Sequence, residues 1–159
     1  MNGRVVALDV GDKRIGVAAC DPSGIVVRAV GVVQAEPQTQ ALAEIQRIVN
    51  AEEAVLILVG LPLTLRGEHG PQAQRVTAFA DALRQVVAVP LVFRDERFTS
   101  VEAERIIEAR GGKRKKNRRR GEVDEVAATL ILQDYLTEQE FQRPRSYDDW
   151  GSDTLDHEV

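Results

Sequence analysis

The six residues Ala54–Val59, AVLILV, are apolar at every position and run directly into Gly60. Successive side chains of a strand point to opposite faces, so a strand without a polar position has both faces covered. Such a segment belongs in a sheet enclosed between two layers, most often a parallel one. The rest of the chain must then supply strands beside it and helices for both faces.

The strands come first. Val5–Val10 is an apolar run closed by Gly11, and Ile15–Cys20 is a second. Asp-Pro-Ser-Gly at Asp21–Gly24 is a turn signal, and Ile25–Val33 reads as a third strand. These three form an antiparallel meander. Helical spacing follows in Thr39–Ala51 (Leu42, Ile45, Ile48, Val49) and in Gln72–Val87 (Val76, Phe79, Ala80, Leu83). Pro90–Arg94 is a short strand. Thr99 or Ser100 can cap a helix to about Arg110, which Gly111 and Gly112 end. A last helix is expected over Val123–Glu138. The order β-β-β-α-β-α-β-α-α predicts an α/β fold: a mixed five-stranded sheet, meander plus parallel strands, flanked by helices. The chain of 159 residues suits one domain, placed at residues 4–138, with an acidic flexible tail at 139–159.

Composition narrows the functional classes. Cys20 is the single cysteine, so neither an intramolecular disulfide nor a cysteine zinc site is available, and a reducing cytoplasm fits best. No apolar stretch is long enough to cross a membrane. The formal net charge of −4 conceals a strong polarity. Lys113, Arg114, Lys115, Lys116, Arg118, Arg119 and Arg120 supply seven of the 21 basic residues, while Ser146–Val159 has five acids and no Lys or Arg. A basic run of this density is expected to stay open until it meets a polyanion.

Three carboxylates fall at element ends. Asp9 closes the first strand, Glu96 follows the last one, and Asp124 opens the final helix. On a helical wheel Asp124 shares a face with Ala127, Ala128, Ile131 and Tyr135, whereas Glu125 lies with Glu122, Thr129 and Gln133. Each acid has a modest alternative: a turn cap for Asp9, a solvated ion-pair cluster for Glu96, a helix cap for Asp124. Convergence of the three without a cation would raise their pKa values by mutual repulsion. A hard divalent ion, Mg²⁺ or Mn²⁺, removes that conflict. Two such ions about 4 Å apart hold the attacking and leaving oxygens of a phosphodiester.

Four segments, ALDVGDKRIGVA, LVGLPLTLRG, FRDERFTSVEA and GEVDEVAATLILQDYL, appear in order between Arg4 and Leu136. Together they closely resemble the YqgF/RuvX family of RNase H-like nucleases. The resemblance implies an RNase H-like fold and a catalytic, metal-binding triad of Asp9, Glu96 and Asp124. It also implies two associated roles, Holliday junction resolution and maturation of the 5′ end of pre-16S ribosomal RNA. RFTS stands where RLTT is nearer the family pattern, and Thr99 keeps its place.

Further residues suit contact with a nucleic-acid backbone. Lys13 and Arg14 sit in the turn beside Asp9, Arg66 lies in the loop after the central strand, and Arg97 and Thr99 follow Glu96. With the basic run they make a phosphate-binding set that positions without reading sequence. His69 is a lone loop histidine and reads as exposed. The leading expectation is a metal-dependent endonuclease acting on branched DNA or pre-rRNA, a homodimer if the substrate is two-fold symmetric. A non-catalytic ribosome-assembly factor that binds nucleic acid is the alternative. A sugar-kinase or actin-like ATPase would need two lobes, and the chain supplies one.

Overall fold

A computed structural model describes residues 3–64, 66–95 and 120–142, the last segment with side chains over 126–139. The elements are β1 (Arg4–Val10), β2 (Arg14–Cys20), β3 (Val27–Gln34), α1 (Gln38–Ala51), β4 (Ala54–Leu61), α2 (Pro71–Arg84), β5 (Leu91–Asp95) and α3 (Arg120–Gln142). The strands form one mixed sheet in the order β3-β2-β1-β4-β5. β1–β2 and β2–β3 are antiparallel, and β1–β4 and β4–β5 are parallel. The meander plus two parallel strands is the expected topology. The carboxyl ends of β1, β4 and β5, and the β1–β2 turn, therefore share one edge.

Strand parity divides the core into two layers. Val6, Leu8 and Val10 of β1, Ile15, Val17 and Ala19 of β2, and Ile57, Val59 and Leu61 of β4 face α1 and α2. They pack on Ala41, Ile45, Ile48 and Val49 of α1 and on Ala73, Val76, Phe79, Ala80 and Leu83 of α2. The alternate residues Val5, Ala7, Ala18, Cys20 and Leu58 face α3, where Ala128, Ile131 and Leu132 cover them. Cys20 also serves the backbone, its Sγ accepting from the Val5 amide at 3.2 Å. β4 is buried on both faces from Ile57 to Leu61, where each layer takes alternate side chains, but the expectation of full cover fails at Val55, which is 44% exposed near the strand's start.

α3 lies against the sheet chiefly over β1, β2 and β3. Its Leu136 lies beside Gly24, in the β2–β3 turn at the far edge. Its 23 residues, at a rise of about 1.5 Å each, span about 34 Å.

Several boundaries differ from the sequence expectation. β3 starts at Val27, and Ile25 and Val26 are 80% and 58% exposed. The Asp21 carboxylate accepts from the amides of Ile25 and Val26, at 3.0 and 3.1 Å, and from Ser23. Those amides are spent on the turn and leave the ladder. α2 ends at Arg84, where the Gln85, Val86 and Val87 amides bond back to Ala82 and Leu83 in a closing turn. α3 begins at Arg120 and reaches Gln142, so Arg120 is helical rather than part of the basic loop. The helix expected to about Arg110 lies outside the described residues.

Candidate active site

Asp9 belongs to the parity of Val5 and Ala7, so it stands on the α3 face of β1, as the next-to-last residue of the strand. It is half-buried. Its antiparallel partner on β2 is Gly16. On β4, Leu8 pairs with Val59, and the next step of that register puts Gly60 beside Asp9. Neighbouring cross-strand Cβ atoms stand about 5 Å apart. Glycine at both neighbours leaves the two places beside the Asp9 carboxylate without a side chain. Gly60 in turn pairs with Arg94 of β5. The α3 face thus carries the row Gly16, Asp9, Gly60, Arg94 across four strands.

The β1–β2 turn is built around Gly11. Its amide donates to the Arg14 carbonyl at 2.8 Å, and a Cβ on Gly11 would stand 2.8 Å from that same oxygen. Any side chain there would break the turn. Lys13 is exposed at its tip, and its carbonyl accepts from the Ala35 amide at 2.9 Å. Arg14 opens β2 with the parity of Gly16, which places it on the Asp9 face, diagonal to Asp9. Asp12 pairs with Arg75 of α2 at 2.9 Å, both side chains more than half exposed.

Arg66 sits in the loop after β4. Thr64 folds that loop on itself: its amide donates to the Glu68 carbonyl at 2.9 Å, and its hydroxyl accepts from the Glu68 amide at 3.0 Å. Gly67, at φ +81, completes the turn. Arg66 and His69 are both exposed. Arg94 is held from α3, donating to Asp134 at 3.0 Å and to Glu138, with the Tyr135 ring 5.8 Å from its guanidinium carbon. Burial lowers the Arg94 pKa, but the hydrogen bonds to Glu138 and Asp134 outweigh it and hold the guanidinium above its ordinary value.

The structure therefore brings Asp9, Lys13, Arg14 and Arg66 to one edge. Asp124 and Arg120 lie in the first turns of α3, Asp124 one turn ahead of the buried Ala127 and Ala128. Glu96, Arg97, Thr99, Lys113, Arg114, Lys115, Lys116, Arg118 and Arg119 lie outside the described residues. Among the described residues no three metal-ligating side chains cluster. The donor chemistry still suits a hard cation: a strand carboxylate with glycine on either side, facing the layer that carries Asp124. Gly16 and Arg94 carry no signal of their own in the sequence, and Gly60 shows there only as the residue at the mouth of the central strand. Their signal was parity, readable once β1 and β4 are known to be neighbours. Among the described residues, no helix is long and apolar enough to cross a membrane.

This architecture is shared with known proteins. A Thermus thermophilus RuvC bound to a Holliday junction substrate superposes with TM-score 0.55 at 15% identity, over 87% of this chain and 96% of that one. The fowlpox virus Holliday junction resolvase superposes with TM-score 0.51 at 11% identity, over 85% and 99%. These likenesses show an RNase H-like fold. In sequence, a candidate pre-16S rRNA nuclease of Roseiflexus sp. (strain RS-1) is 44% identical over 137 residues, 86% of this chain and 96% of the relative. One from Chloroflexus aurantiacus is 42% identical over 149 residues, 93% and 96%. A family model described as RuvX, Holliday junction resolvase, matches residues 3–138. With a family match over most of its length and relatives above 40% identity, the chain belongs to the RuvX family of nucleases.

Proposed function

We propose that this protein is a divalent-metal-dependent endonuclease that hydrolyses phosphodiester bonds in structured nucleic acid, at a triad of Asp9, Glu96 and Asp124. The observation that carries the reading is the setting of Asp9. A carboxylate in the middle of a sheet, with glycine on both sides and cations at the adjoining turn, suits an inorganic ligand better than a cap. Mg²⁺ or Mn²⁺, two ions in the fullest form, would polarise the scissile phosphate and lower the pKa of a water.

The chain's own residues supply the rest. Asp9 in β1, Asp124 in the first turns of α3 and Glu96, next in sequence after β5, would offer hard oxygens. Lys13 and Arg14 stand where they can neutralise phosphates on either side of the cut. Arg66, Arg97, Thr99 and the run Lys113–Arg120 extend the phosphate contacts, which position a duplex or junction without reading its bases. The tail expected from residue 139 would start later, because α3 continues to Gln142. The family and relatives favour two substrates, four-way DNA junctions and the 5′ end of pre-16S rRNA.

The test offers a four-way junction, a matched linear duplex and a pre-16S 5′-end fragment, with Mn²⁺ or Mg²⁺ and with Asp9→Asn as control. Symmetric cuts in the junction identify a resolvase and call for a dimer, because a two-fold substrate needs two sites. Cuts in the RNA identify a processing nuclease. Asp9→Asn should abolish cleavage and leave binding intact. Tight, metal-independent binding without cleavage of any substrate would overturn the reading in favour of an assembly factor.

A further inference from the structure

The edge strand β5 is tied down by one arginine on each face. On the α1/α2 face, Arg84 of α2 lies 5.4 Å from the Phe93 ring and donates to the Leu91 carbonyl at 3.2 Å. On the other face, Arg94 of β5 reaches α3 and engages Asp134, Tyr135 and Glu138. The two ties differ in what they hold. α2 already packs on the sheet through five buried residues. α3 lies chiefly over β1, β2 and β3, so Arg94 reaches from the far side of the sheet to its flank. The Arg94 side chain is only 19% exposed, and one guanidinium nitrogen serves two carboxylates of the same helix face.

The helix gripped in this way is the one that carries Asp124. Asp124 lies ten residues before Asp134, about 15 Å along the axis. Over that lever a tilt of about 5° displaces the helix start by about 1.3 Å. A site of this kind tolerates roughly 0.5 Å before geometry is lost. Apolar packing by Ala128, Ile131 and Leu132 resists separation of the helix but is permissive toward small tilts, because it is not directional. A fork of hydrogen bonds to two carboxylates one turn apart is directional.

We propose that Arg94 is a positioning residue: by clamping Asp134, Tyr135 and Glu138 to the end of β5, it sets the tilt of α3 and so the placement of Asp124 relative to Asp9. Arg94 acts through the helix and touches neither metal nor substrate. The inference rests on the metal-site reading for its functional consequence, while the clamp itself is independent of it.

The experiment compares wild type with Arg94→Met, Arg94→Lys and Arg84→Met, the last a matched loosening of β5 on the opposite face. Mn²⁺ affinity is measured by calorimetry well below every melting temperature, and amide exchange in α3 is followed in the metal-free proteins. Arg94→Met should weaken Mn²⁺ binding by about tenfold or more, the scale of an outer-sphere loss. Arg94→Lys should recover part of it, and Arg84→Met should leave it unchanged. Exchange over the first turns of α3 should rise in Arg94→Met alone. Wild-type Mn²⁺ affinity in Arg94→Met, or equal weakening in Arg84→Met, overturns the proposal. Failure of the wild type to bind Mn²⁺ would overturn the metal-site reading instead, and the exchange comparison would then decide the clamp: unchanged α3 exchange in Arg94→Met refutes it.

Discussion

Glu52, just past the end of α1, offers the most direct test of what holds the edge opposite the candidate site. Its carboxylate accepts from Arg4 at the start of β1, at 2.8 Å, and from Arg28 on β3. One residue thereby joins three elements. The Glu52 side chain is 11% exposed, while Arg4 and Arg28 are 37% and 51% exposed. An exposed ion pair contributes about 0.2–1 kcal/mol, and a buried charge-assisted hydrogen bond more. With a partly buried acceptor and partly exposed donors, each pair is worth about 0.5–1 kcal/mol, so Glu52→Gln should cost about 1–2 kcal/mol. For a domain of this size that lowers the melting temperature by about 2–8 °C. Burial raises the Glu52 pKa, but the hydrogen bonds from Arg28 and Arg4 win and hold it below its ordinary 4.5. A carboxyl whose folded pKa is depressed stabilises the fold above its unfolded pKa, and that stability is lost as pH falls through the folded value. The gap between wild type and Glu52→Gln should therefore be full at neutral pH and close in acid, below the usual 4.5. Urea unfolding across that range measures it. A gap that is absent at neutral pH, or that persists undiminished once the carboxylate is protonated, would refute the reasoning.

Two further outcomes follow from the layers and the edge. Leu132 is fully buried between α3 and the sheet, so Leu132→Ala should cost about 2–5 kcal/mol and lower the melting temperature by at least about 5 °C, read by thermal unfolding. Lys13→Gln should weaken nucleic-acid binding nearly uniformly across sequences and reduce the slope of log affinity against log salt by about 0.7–0.9, as expected for one lost phosphate contact.

The topology was legible because each strand declares its environment. AVLILV announced a doubly covered strand, and the short spacing of the first two runs left a hairpin as the simplest connection. α1 and α2 appeared as apolar stripes at 3.6 spacing. Ile25 and Val26 misled for a local reason: β-branched residues read as strand, but the Asp21 carboxylate removes their amides from the ladder. The start of α3 was hidden because Arg120 and Gly121 look like the end of a basic loop. Asp9 could be found from sequence as an acid that interrupts an apolar run. Its flanking glycines could not, since Gly16 and Gly60 are far apart in the chain and become neighbours only through β1. Arg94 was hidden in the same way, its partners lying forty residues downstream.

The strict parity of β1 has a genetic consequence. Loss or gain of one codon between Arg4 and Asp9 would rotate Asp9 into the α1/α2 layer and turn Leu8 or Val10 toward α3. Single-residue indels in this stretch should therefore be purged, while the loop Pro62–Gly70 can vary in length. Change in the first strand is confined to replacement, and its two interleaved sets of residues answer to different layers, with Asp9 alone adding a chemical demand to that of packing.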